Sequence, residues 1–386
     1  MTKSGKYLLW FLSAATVLVY FLNLGINDIW NPNEGYYADS VQEMLKSGNI
    51  LDFYYNQEHR FNKPPVTYWA IGIFTWIFGL NEFMVRLPMV LMALGSIWLT
   101  YLLGKLVYGK NEGIWAGIVM ALSLQFMINS RYATPEVPLT FFFTLTMYWF
   151  MKGYLQRKFN YLFLSYVALG FTILTKGYPY LIVIGGIIIV YLFLDAKLRV
   201  RNFFRKLGQL RLHIGLPVAL IIGFSWVIYS YLKFGDDFLN VLDKETIERA
   251  FGYETNWLSE LFFFPGVIAW GFLPYSAVFY VALVYYLRKK ETFMQFAMPL
   301  SWILVMLVIF TIAKFKLPTY FIQAHPAMSL FAGVFLAREI PGTPWKKFFW
   351  NFSLVLPGMF ITLLSVGIIY FFSLHFIFFI VISLPF

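Results

Sequence analysis

The chain's 386 residues are 60% hydrophobic, 22% aromatic and only 13% charged, against about 25% charged in a soluble domain. That mixture excludes a disordered, collagen-like or ordinary water-soluble protein. The absence of cysteine excludes disulfides, thiolate nucleophiles and cysteine-ligated zinc or iron–sulfur sites, and the net charge of +11 suits the basic cytoplasmic loops of a polytopic membrane protein better than nucleic-acid binding.

The first hydrophobic stretch, 7–27, follows Lys3 and Lys6, has spanning length and lacks a small-residue cleavage site. It reads as a retained first span rather than a signal peptide. A first external loop follows, over about residues 28–86. Within it Tyr37, Val41, Met44 and Leu45 recur at helical spacing beside Asp39, Gln42, Glu43 and Lys46. That pattern predicts an amphipathic helix, expected to lie on the membrane surface.

The stretch 64–81 is uncharged and apolar, yet counting it as a span inverts every later loop. The basic cluster Lys197, Arg199, Arg201, Arg205, Lys206 and Arg211 would then lie outside, against the positive-inside tendency. An interfacial or re-entrant helix entered through Pro64 and Pro65 restores the pattern. Further uncharged stretches run to 348–386, the last long enough for two spans. The expected fold is all-α, a single polytopic domain over 1–386 with about 12 transmembrane helices and no soluble C-terminal domain.

Ionisable residues are costly in a bilayer, so those gathered at one face are candidates for function. Asn33-Glu34 follows the first span, where a carboxylate can serve as general base or simply cap a helix. Lys63, before Pro64 and Pro65, is a fixed point charge suited to a phosphate, or a snorkelling lysine. Arg131 and Glu136 share one short turn, as a local ion pair or as a guanidinium and second carboxylate. Lys314, Lys316 and Tyr320 stand at a later helix mouth, where ordinary interfacial anchoring is the alternative. Together they suit a lipid-linked phosphate whose sugar is transferred. No Walker or GxGxxG loop supports a nucleotide site.

The order NEGYYA, FNKPPVTYW, GLNEFMVRLP, SRYATPEVPLTFF, LTKGYPY and KFKLPTYFIQAHPA resembles the bacterial C-type (GT-C) glycosyltransferases. The branch most similar is that of dolichyl-phosphate-mannose-protein mannosyltransferases and lipid A aminoarabinose transferases. The resemblance implies a polyprenyl-phosphate sugar donor, inverting transfer to a lipid A, glycan or protein acceptor, and an active site at the periplasmic face of the inner membrane. It implies Glu34 as catalytic base beside Asn33, which replaces the first acid of the family's pair, with Glu136 as the second-loop acid. Of the candidate donor-phosphate contacts Lys63, Arg86, Arg131, Lys316 and Tyr320, the resemblance matches Lys63 and Tyr320 to the family's motifs. Tyr36 occupies a place where members often carry arginine, which removes one such contact. No cofactor is required on this reading and a divalent metal is optional. Acceptor recognition is expected in the loop 233–260. A transporter or flippase of a lipid-linked sugar is the rival, and it would need polar groups at the midplane and inverted repeats.

Overall fold

The computed structural model describes residues 18–248 and 257–339, and helices dominate them. The strands are two residues each: Tyr54–Tyr55 and Glu58–His59 pair as a small antiparallel hairpin in the first loop. Helix α1, Gly35–Ser47, precedes it and ends at Gly48, whose φ of +69° is the left-handed cap that glycine takes without strain. Its apolar face is as the periodicity predicts, with one correction. Tyr37, Val41 and Met44 are buried inside the protein, against Phe53, Tyr68, Ile71 and Trp226, rather than laid on lipid. The neighbouring loop and helices supply a closer apolar surface than the bilayer does.

Helix α2, Val66–Phe78, has 13 residues, about 20 Å at 1.5 Å per residue. That is short of the about 30 Å hydrocarbon thickness, in keeping with the non-spanning reading of 64–81. Its inner side buries Tyr68 and Ile71, while Ile73, Trp76, Ile77 and Phe78 are exposed.

Helix α3, Glu82–Val107, starts where the Asn81 side chain accepts a hydrogen bond from Met84 N. It packs tightly on α4, Lys110–Leu122. A β-carbon placed on Gly113 would come within 2.6 Å of the Tyr101 carbonyl oxygen and the Lys105 nitrogen. Further along α4, Gly333 leaves no room against the Ala116 backbone, at 2.4 Å. Small residues thus let three helices approach closely, as in membrane bundles.

Four described helical segments are long and apolar enough to cross a membrane: Glu82–Val107, Leu212–Phe234, Glu291–Ile312 and Pro318–Arg338. A fifth forms if Leu261–Gly271 and Ser276–Arg288, bent by 119°, are one span. Pro179–Asp195 is apolar but shorter. The chain is therefore an all-α polytopic membrane protein. The stretch 348–386, most of 7–27 and part of the loop 233–260 lie outside the described residues.

The long-range ion pairs sort by bundle end. Glu34–Arg86, Lys63–Glu245, Glu136–Lys176 and Asp52–Lys233 gather at the end that carries the first loop. Asp195–Lys206 and Glu112–Arg338 lie at the opposite end. Among the described residues each such pair joins segments that the charge pattern assigns to one side.

Candidate functional site

Glu34 and Arg86 hold each other. Arg86 Nε donates to Glu34 Oε1 at 2.9 Å and Nη2 to Oε2 at 2.7 Å. The remaining guanidinium hydrogens reach the carbonyls of Leu24, Asn27 and Asp28 at 2.8–2.9 Å, so all five donors are occupied. Glu34 also accepts from the backbone nitrogens of Trp30 at 2.9 Å and Ala133 at 2.8 Å. Glu34 is 0% exposed and Arg86 4%. This corrects two expectations. The Glu34 carboxylate is enclosed rather than open to an acceptor, and Arg86 has no N–H left for a phosphate. Asn33, one residue earlier, is exposed.

Arg131 is likewise engaged by the fold. Its terminal amino groups donate to the carbonyls of Val19 at 2.6 Å and Leu22 at 2.5 Å. These are carbonyls at the end of the first helix, where a cation offsets the helix dipole. Arg131 therefore fastens that helix end instead of presenting its guanidinium to a ligand.

The remaining expected residues converge. Glu136 opens helix α5, Glu136–Gln156, and Lys176 closes α6, Phe159–Lys176. Their side chains meet at 2.9 Å and are largely buried. Burial pushes the Glu136 carboxyl up, but the charge and hydrogen bond of Lys176, together with hydrogen bonds from Thr134 and the Glu136 backbone, hold the group below the usual carboxylate range. Lys176 Nζ also lies 5.2 Å from the centre of the Tyr320 ring, which places Tyr320 beside this pair. Lys316, four residues before Tyr320, donates to the Ala313 carbonyl at 2.7 Å.

Lys63 pairs with Glu245, which also accepts from Asn62 Nδ2 at 3.0 Å. Glu245 sits in the helical turn Lys244–Glu248, which continues helix α7, Asp236–Asp243. The loop 233–260 thus reaches the lysine of the KPP motif. Tyr37 is buried in the first loop. Its phenol is pushed well above its usual range by burial first, then by Tyr68 and by Glu136 and Glu245, with Arg60 opposing. One buried hydroxyl is therefore within electrostatic reach of both carboxylates.

Of the expected site residues, the structure brings Lys63, Glu136 and Tyr320 into one neighbourhood and assigns Glu34, Arg86 and Arg131 to holding the first helix and first loop. Lys176, Glu245 and Arg60 are the additions. Lys176 was signalled by its place in LTKGYPY, whereas Glu245, 182 residues from its partner, has no local signature. Among the described residues no group of three or more His, Asp or Glu gathers to hold a metal.

The family model of dolichyl-phosphate-mannose-protein mannosyltransferase matches residues 62–229. A protein of Aquifex aeolicus (strain VF5) is 37% identical over 325 residues, 84% of this chain and 62% of that protein. The undecaprenyl phosphate-alpha-4-amino-4-deoxy-L-arabinose arabinosyl transferase 1 of Proteus mirabilis (strain HI4320) is 26% identical, over 90% of this chain and 62% of its own length. The chain thus spans about three fifths of these relatives. Among solved structures, ArnT from Cupriavidus metallidurans bound to undecaprenyl phosphate superposes with a TM-score of 0.79 at 23% identity, over 95% of this chain and 66% of that one. The archaeal oligosaccharyltransferase AglB from Archaeoglobus fulgidus gives a TM-score of 0.60 at 15% identity, over 92% and 55%. Both show a shared fold.

Proposed function

We propose that the chain is a C-type (GT-C) glycosyltransferase, a reading supported by the mannosyltransferase family model over residues 62–229 and by the arabinosyl transferase relative, and that it transfers a sugar from a polyprenyl-phosphate donor to a hydroxyl or amine of a lipid, glycan or protein acceptor. The reaction takes place at the periplasmic or outer face of the bacterial inner membrane, at the bundle end that carries the first loop. The observation that carries this reading is that the Lys63–Glu245 and Glu136–Lys176 pairs both stand at that end of the bundle. A carboxylate already sits on the lysine that the resemblance gives to the donor phosphate, so the position accepts an anion. The ArnT structure, solved with undecaprenyl phosphate, supports a donor of that class.

In this mechanism the acceptor oxygen or nitrogen attacks the anomeric carbon while the bond from that carbon to the phosphate oxygen breaks. Lys63 stabilises the negative charge that develops on the departing phosphate, with Tyr320 and Lys316 assisting. Glu136, ionised at neutral pH, takes the acceptor's proton or orients the acceptor. Glu34 and Arg86 keep the first loop in place and take no part in proton transfer. The test is donor-dependent turnover by the full-length protein in lipid. Lys63→Ala should weaken use of the polyprenyl-phosphate sugar roughly tenfold or more per folded molecule. Near-normal donor kinetics would sink the assignment. Mass spectrometry of envelope glycolipids and glycoproteins with and without the protein identifies the acceptor.

A further inference from the structure

Arg60 stands three residues before Lys63, where the hairpin ends, and its backbone nitrogen donates to the Phe53 carbonyl at 2.8 Å. Its side chain is fixed on two sides. Nε donates to the Tyr68 hydroxyl at 2.9 Å, and the guanidinium carbon lies 3.9 Å from the centre of the Tyr36 ring. Tyr36 is in turn braced edge-on against Tyr55, ring centres 4.6 Å apart, and Tyr37 flanks the guanidinium at 5.8 Å. Yet Nη1 and Nη2 have no hydrogen-bond partner among the described residues. A half-buried guanidinium held by stacking and one hydrogen bond, with its outer fork unengaged, is the preformed half of a bidentate anion contact. It also shares the Tyr37 neighbourhood with Glu136 and Glu245.

We infer that Arg60 is a second cation of the donor-phosphate site: its fork takes phosphate oxygens while Lys63 supplies the point charge, and Tyr36 is the platform that holds the fork in place. This rests on the donor reading above. It makes Tyr36 a positioning residue, acting through the ring that carries Arg60.

The test uses the full-length protein in nanodiscs, with undecaprenyl phosphate and undecaprenol as paired probes. Loss of the charged hydrogen bonds in Arg60→Ala should weaken undecaprenyl phosphate binding roughly 10–100-fold and leave undecaprenol binding unchanged. Arg60→Lys should recover only part of the loss, and Tyr36→Leu should lose less than Arg60→Ala. Arg60→Gln, which keeps a donor for Tyr68, replaces the alanine variant if that one does not fold. If Lys63→Ala weakens the phosphate probe and Arg60→Ala does not, the inference falls and the donor reading stands. If neither variant weakens it, the donor reading falls as well. Equal weakening of both probes, with a lower melting temperature, makes Arg60 structural and overturns the inference. Unchanged donor affinity with a raised KM for a phosphorylated acceptor alone moves the phosphate to the acceptor and also overturns it.

Discussion

All five N–H groups of Arg86 are taken, and the enclosed Glu34 carboxylate receives two of them plus two backbone amides. Removing one partner of such a pair strands the other and costs about 3–5 kcal/mol. Glu34→Gln should therefore lower the melting temperature, and its loss of activity should track the loss of folded protein. Glu136→Gln should behave differently. Single-turnover transfer at saturating donor should slow 10²–10⁴-fold per folded molecule if Glu136 is the proton acceptor. The opposite ranking would return the base to Glu34. The pH dependence follows from the same carboxylate. Its folded value lies below the ordinary 4.5 because Lys176, with the Thr134 and backbone hydrogen bonds, opposes burial. The stability contributed by the ionised group is thus complete above the ordinary value and lost as pH falls through the lower, folded one. In Lys176→Met the main opposition to burial is gone and only the hydrogen bonds from Thr134 and the Glu136 backbone remain against it, so the acid limb of the rate profile should move to higher pH. An unmoved limb would mean that Glu136 does not control it.

The helical turn Lys244–Glu248 and the helix before it bring a carboxylate onto Lys63 from 182 residues away. An incoming phosphate competes with that carboxylate. Glu245→Gln should tighten undecaprenyl phosphate binding several-fold by removing the competing charge, and equal or weaker binding would show that Glu245 assists the ligand instead. This element also marks the limit of what the residues alone convey. The amphipathic helix Gly35–Ser47 and the non-spanning helix Val66–Phe78 were legible, the first from its 3.6-residue period and the second from the parity of basic loops. Both signals are local or cumulative along the chain. Which partner a charge meets is neither. Glu34 looked like an open carboxylate because nothing in its own loop indicates that Arg86, 52 residues on, will close over it. Arg131 looked like a phosphate ligand because the first-helix carbonyls it caps are 109 or more residues away. The apolar face of the Gly35–Ser47 helix was assigned to lipid because periodicity reveals a face without saying what covers it.

At the scale of the whole molecule, the charge pattern and the ion pairs agree on which segments share a side, and labelling can test it. Asn56, Asn240 and Gln209 are all exposed, so their reactivity as introduced cysteines reports sidedness rather than burial, in a chain without native cysteine. The first two should react with an impermeant reagent in intact spheroplasts and the third should not. Reaction at Gln209 alone would invert the orientation. The short helix Val66–Phe78 adds a kinetic consequence. It begins three residues after Lys63 and leaves Ile73, Trp76, Ile77 and Phe78 uncovered at its far end, so the element that follows the cation offers an apolar surface to the bilayer. A donor whose tail is isoprenoid need never leave the membrane to reach it; the encounter is a search in two dimensions. The governing variable is then the mole fraction of donor in the bilayer and not its molarity in the tube. Adding inert phospholipid at constant total donor should slow transfer in proportion, while diluting the vesicles with buffer should leave the rate per enzyme unchanged.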